Sequence, residues 1–129
     1  MEHNNNFKYD LKLGQEGENI IAQLLSDSTI EVKLDFLAHK TDNIFIEYES
    51  RGKLSGIATT ESKFWFYIIL KENTPREEKD ITIENVEDIL FFKVDKLKDI
   101  CREWLMFNEG KKGGDSNTSL GCCIPRKIL

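Results

Sequence analysis

The stretch TIEVKLDFLAHKTDNIFIEYES, residues 29–50, decides how the rest of the chain is read. Its two halves alternate apolar and polar residues with the period of two that a strand requires, and AHKTDN between them has the Asp and Asn of a turn. The stretch therefore predicts a hairpin, with strands over Thr29–Phe36 and Asn43–Ser50. Alternation places Ile30, Val32, Leu34, Ile44, Ile46 and Tyr48 on a core face. It places Glu31, Lys33, Asp35, Phe45, Glu47 and Glu49 on the other. With the turn centred near residue 40 or 41, Glu47 stands across from Lys33 or Asp35, and each charge reaches a neighbour.

Upstream, Leu11 to Leu25 repeats apolar residues at helical spacing, with Leu13, Ile20, Ile21, Leu24 and Leu25 in one stripe. Glu18 falls inside that stripe, flanked by Gly14 and Gly17. Each glycine costs a helix interior up to about 1 kcal/mol, a cost that makes sense where another backbone comes close. Glu18 can also be read as a residue near the helix start, where a carboxylate suits the helix dipole and reaches water. Residues 1–9 read as a flexible tail.

Downstream, FWFYIIL (residues 64–70) is apolar at nearly every position and rich in aromatic and β-branched residues, as a central strand covered on both faces would be. If that sheet is covered, the charged hairpin face lies under a lid rather than in open water. KENTPREEKD is a charged loop broken by Pro75, DILFFKV a further strand, and DKLKDICREWLMF a helix capped by Asp95 with Leu97, Ile100, Cys101, Trp104 and Leu105 inward. NEGKKGGDSNTS is a glycine-rich loop, and LGCCIPRKIL a short edge strand ended by Pro125.

The 129 residues suit one domain, and 32% charged with 40% apolar residues suits a folded chain. No apolar run approaches the roughly 20 residues of a membrane helix, and the start MEHNNNFKYD lacks a signal-peptide core, so the expectation is a cytoplasmic protein with no membrane partner. Three cysteines, Cys101, Cys122 and Cys123, have the spacing of neither a zinc site nor a disulfide framework and read as reduced, mostly buried thiols. The net charge of −5 excludes a wholly basic surface, though a carboxylate centre can carry a local basic rim. Candidates for that rim are Arg51 with Lys53, Lys111 with Lys112, and Arg126 with Lys127. GKKGGD and RGKLSG lack the spacing of a phosphate-binding loop. With His3 and His39 as the only histidines, a histidine metal site or a catalytic triad has no basis.

What remains is the carboxylate group. A helix turning Glu18 inward, followed by strands offering Asp35, Glu47 and Glu49, resembles the PD-(D/E)xK nuclease superfamily, whose core runs helix, three strands, helix, strand. GQEGEN, EVKLD, TDNIFIEYESRGKLSGIATTESKFWFYI and GGDSNTSLG look like a group of small phage and bacterial proteins within it. The resemblance implies an α/β (α+β) fold with a restriction-endonuclease-like core, a central mixed β-sheet flanked by helices. It implies a Mg²⁺-dependent endonuclease acting on DNA, with Mn²⁺ able to substitute, and it admits a homodimer.

The superfamily's acid-x-lysine element here reads Glu47, Tyr48, Glu49; a minority of its restriction enzymes carry glutamate at the lysine position. A second register, Glu31-Val32-Lys33, would need Asp27, too near in sequence to cross a hairpin. The resemblance thus implies Asp35 and Glu47 as Mg²⁺ ligands, Glu18 as a direct or water-mediated ligand, Glu49 orienting the attacking water, and Lys33 beside the scissile phosphate. Arg51, Lys53, Thr59 and Thr60, on the polar segment leaving the active strand, are the expected phosphate contacts. The rival expectation is a non-catalytic binding or assembly module of the same fold, its ionic hairpin satisfied internally by Lys33, Arg51 and Lys53.

Overall fold

The computed structural model describes the backbone of residues 2–114 and 117–129, and the side chains of these except 2–9 and 78. The chain is a mixed α and β protein. Its elements are α1 (Glu2–Asp27), β1 (Ile30–Asp35), α2 (Ala38–Thr41), β2 (Asn43–Ser50), β3 (Lys53–Leu54), β4 (Phe64–Leu70), β5 (Val86–Lys93), α3 (Val94–Phe107), β6 (Lys111–Gly113) and β7 (Ser119–Pro125). Side chains of the tail expected at 1–9 lie outside the described residues; its backbone from Glu2 counts in α1. The quoted GGDSNTSLG likewise includes positions 115 and 116, which are not described.

The strands form two sheets instead of one central sheet, in the orders β1-β4-β5 and β3-β2-β7-β6. This corrects the hairpin. β1 and β2 do not pair: β1 runs parallel to β4, with Lys33 beside Tyr67 and Asp35 beside Ile69, while β2 runs antiparallel to β7. The cause is local. Asp35 Oδ1 accepts the backbone N–H groups of Leu37 and Ala38 at 2.6 and 2.7 Å and so caps a single helical turn, α2, where a hairpin turn was expected. That turn closes on Asp42, whose φ of 59° is left-handed and whose N–H returns to the Ala38 carbonyl. The chain therefore leaves β1 by a helical turn and enters a second sheet.

The tight hairpin lies later, at Ser50-Arg51-Gly52-Lys53, where Arg51 and Gly52 both have positive φ, as the two-residue loop joining β2 to β3 requires. β4 is central in its sheet, as FWFYIIL implied, with Trp65, Tyr67, Ile69 and Leu70 buried. β7 is not the edge strand expected of LGCCIPRKIL but lies between β2 and β6. The core joins both sheets to α3 through Ile44, Ile46, Trp65, Ile69, Leu97, Cys101, Cys122 and Ile124. α3 begins one residue before Asp95, with Lys93 at the cap position, so Asp95 serves in the first turn and not as the cap. The three cysteines are free thiols, Cys101 and Cys122 buried.

Two expectations about covering fail together. Val32 and Leu34, expected in the core, are exposed, while the face of β1 carrying Glu31, Lys33 and Asp35 turns inward beside Trp65 and Tyr67, out of open water as expected. α1, whose stripe was expected to pack, is exposed at nearly every described position and, among the described residues, has no extended contact with another element.

Candidate active-site cleft

A cleft of about 690 Å³ opens where the two sheets meet. One wall comes from β1 and β4 with Lys33, Asp35, Trp65 and Tyr67; the other comes from β2, β6 and β7 with Phe45, Glu47, Lys111, Lys112 and Cys123, and Arg76 joins from the loop before β5. Strands from two separate sheets thus bring Lys33, Asp35 and Glu47 to one place, although not by the hairpin that the sequence suggested.

Asp35 is the best-held group. Besides the two N–H groups on Oδ1, its Oδ2 accepts a short hydrogen bond from the Tyr67 hydroxyl, and that hydroxyl in turn accepts the Phe45 N–H at 2.9 Å. Tyr67 is buried, so its phenol ties β4 to the backbone of β2 and fixes the width of the cleft between them. Burial, then the hydrogen bond to Asp35 and its negative charge, push the Tyr67 phenol far above its ordinary value of 10.0.

Glu47 is positioned by the segment just downstream of β2. Ser55 Oγ donates to Glu47 Oε2 at 3.0 Å, and Ser55 N–H donates to the Tyr48 carbonyl at 3.0 Å. The β2–β7 register shifts between Glu47 and Glu49, a bulge that detaches Glu49 from the alternation. Gly56 makes this return possible: its φ is +54°, and a Cβ there would stand 2.2 Å from the Glu47 carbonyl oxygen. Phe45 lies across β6 and β7 in the same way, since a Cβ on Gly113 or Gly121 would meet its ring at 2.7 or 2.5 Å.

Positive charge lines the cleft. Lys33 Nζ stands 5.5 Å from the Trp65 ring centroid and 3.6 Å from Glu31 Oε1, and Arg76 stacks over Phe36 at 4.6 Å. Lys111 and Lys112 project from β6. The Cys123 thiol feels both signs: burial raises its pKa most, Lys111 lowers it and Asp35 raises it.

Of the residues expected from sequence, Lys33, Asp35 and Glu47 line this cleft. Glu18 does not: it stands on the exposed α1, where Gly14 and Gly17 face open space, so the expected third carboxylate is absent from the cleft. Among the described residues, no group of three or more His, Cys, Asp or Glu side chains could hold a metal ion. Glu49, on the far side of the bulge, is not a lining residue either. Arg51 and Lys53 occupy the exposed β2–β3 hairpin, Thr59 ends the turn Gly56–Ala58, and Thr60 Oγ1 accepts the Ser62 N–H at 3.2 Å; none lines the cleft. The rim candidate Arg126 is taken up by Asp42 at 2.9 Å, Asp88 at 3.2 Å and Glu87 at 3.9 Å. Sequence reading missed Tyr67 and Arg76. Tyr67 had a signal, as the one hydroxyl within FWFYIIL, whereas Arg76 sat unmarked in a charged loop.

Compared with family models, with curated proteins and with solved structures, the chain matches none.

Proposed function

We propose that this cleft binds the phosphate backbone of DNA and hydrolyses it with a divalent cation. The observation that carries the reading is the convergence of Asp35 and Glu47 with Lys33, Lys111, Lys112 and Arg76 in one cleft of a chain whose net charge is −5. Mg²⁺ is commonly carried by one or two carboxylates, its own waters and a substrate phosphate, so in this reading Asp35 and Glu47, which line the same cleft, would hold it without Glu18. When bound, the ion would offset charge on the phosphate and lower the pKa of a bound water. Asp35 is oriented for that task by two backbone N–H groups and Tyr67, and Glu47 by Ser55. Lys33 offers its ammonium group to a phosphate oxygen, and Lys111 and Lys112 attract the polyanion to the rim. The role that the resemblance implied for Glu49 has no place in this reading.

A second reading rests on Asp35 itself. Both its oxygens already accept hydrogen bonds within the chain, as in a carboxylate that holds structure. In that reading the cleft binds phosphates and cuts nothing.

The test is a nicking assay on supercoiled and branched DNA with Mg²⁺, Mn²⁺ or chelator, using the parent chain and Glu47→Gln. The amide oxygen of the variant can still accept from Ser55, so the fold is retained, while a charged ligand is lost. Metal-dependent nicking by the parent, reduced at least about a hundredfold in Glu47→Gln, supports hydrolysis, a loss of the size found when a catalytic electrostatic group is removed. DNA binding without metal-dependent nicking selects the second reading.

A further inference from the structure

Gly14 and Gly17 lie near the centre of the apolar stripe of α1, between Leu11 and Ile21, and a Cβ on either would meet nothing within 4 Å. Leu11, Ile20, Ile21 and Leu25 around them are each half or more exposed. A helix that gives up propensity at two glycines and leaves large aliphatic residues in water is built to receive a close neighbour.

The same chain carries a second bare face. On the outer side of the β1-β4-β5 sheet, Val32, Phe66 and Phe91 stand in one row across the three strands, and Leu34, Ile68 and Ile89 in the next. Val32, Leu34, Ile89 and Phe91 are between 42 and 50% exposed. FWFYIIL has the composition of a strand covered on both faces, yet only its inner face is covered within this chain.

The two bare faces match in size and kind. Taken over the six-residue length of β1, the three strands present about 20 Å by 14 Å, and the described part of α1 is long enough to span that at about 1.5 Å per residue. The link between α1 and β1 is short and held, and in this structure it does not fold the helix back onto its own sheet. Ser28 N–H bonds the Leu24 carbonyl at 3.1 Å, and Thr29 is tied to β4 by its carbonyl, which accepts from Lys63 and Phe64 at 3.2 Å each, and by its hydroxyl, which accepts from Lys63 at 3.1 Å.

We propose that two copies of this chain pair reciprocally, the α1 stripe of each lying across the outer β1-β4-β5 face of the other. The arrangement is isologous: one self-complementary contact, made twice about a twofold axis, covers both bare faces of both copies. Four faces of roughly 300 Å² each come to roughly 1,200 Å², at the lower bound for a stable interface.

The full chain is sedimented over a dilution series beside two variants, Gly17→Leu and Phe91→Lys, with circular dichroism recorded on each. Gly17→Leu strengthens a solitary helix while filling the approach, so helicity is kept and only association suffers. The expected result is a dimer for the parent, at least tenfold weaker association in each variant, and partial recovery when the two are mixed, because the mixed pair retains one intact contact. Three results overturn the proposal: a parent that is monomeric at every concentration, a dimer indifferent to both substitutions, or a monomer whose α1 amides are strongly protected from hydrogen exchange, which would place α1 on its own sheet.

Discussion

At the scale of single residues, the pair Asp35 and Tyr67 shows how one carboxylate can belong to the fold and the site at once. An amide at position 35 still accepts the Leu37 and Ala38 N–H groups, but its NH₂ then faces the Tyr67 hydroxyl, already committed to accepting from Phe45. Asp35→Asn is therefore expected to lose about 1–3 kcal/mol, whereas Glu47→Gln changes stability by less than about 1 kcal/mol; urea unfolding of the two compares them. Repulsion within a three-carboxylate cluster would have made both substitutions stabilising, but Glu18 is not there to repel. Tyr67→Phe strands the Asp35 oxygen and the Phe45 N–H and is expected to cost about 1–3 kcal/mol at neutral pH. Its pH dependence has a definite sign. Above the ordinary phenol value of 10.0 the unfolded chain releases the Tyr67 proton while the native chain keeps it, so the parent loses stability as pH rises through that range. Unfolding between pH 8 and about 11 should show a shallower alkaline fall for Tyr67→Phe than for the parent; equal slopes would mean that Tyr67 is not held protonated by its partners.

At the scale of elements, the return of β3 and the Gly56–Ala58 turn onto β2 determines where Glu47 sits. Gly56 combines left-handed backbone with a 2.2 Å approach to the Glu47 carbonyl, whereas Gly52, with a φ of +79°, has open space around it. Gly52→Ala should therefore cost only the backbone strain, about 1–2 kcal/mol. Gly56→Ala adds a clash with backbone and is expected to cost more, with Glu47 displaced from Ser55. Denaturant midpoints of the two variants check the order, and a larger loss at Gly52 would contradict this account of the turn. Sequence reading went astray at AHKTDN for an identifiable reason. Asp and Asn suit a hairpin turn and a helical cap equally, and the choice was made by Asp35, whose carboxylate captured two N–H groups and wound one turn.

At the scale of the whole molecule, charge is segregated. The chain is acidic overall, yet Lys33, Arg76, Lys111 and Lys112 share one cleft. DNA bound there should lose affinity steeply with salt, with log K falling by about 0.9 per log unit of salt for each phosphate neutralised. Replacing Lys111 and Lys112 together by alanine is expected to reduce that slope by up to roughly 2. Replacing Arg51 and Lys53, on the exposed hairpin away from the cleft, should leave it unchanged. Fluorescence anisotropy across a salt series measures both, and a flatter slope from the Arg51 and Lys53 pair would move the binding surface to the β2–β3 hairpin.

The local pattern alone marked 29–36, 43–50, 64–70 and 88–94 as extended and 95–107 as helical, close to the strands at 30–35, 43–50, 64–70 and 86–93 and the helix at 94–107, and it put Lys33 and Asp35 on one side of a strand, because alternation and helical spacing are properties of neighbours along the chain. The close approach that Gly14 and Gly17 suggested is not made within this chain, where a Cβ on either would meet nothing within 4 Å. Only the tertiary structure decided which strands pair, since β1 finds its parallel partner 34 residues later in β4 while β2 joins β7 near the end of the chain. It also decided which side of β1 faces inward. An alternating strand has two faces, and hydrophobicity names the apolar one as interior only if the element covering it belongs to the same chain; here the ionic face is held within the cleft by Tyr67, Trp65 and α2, and the apolar face stays exposed.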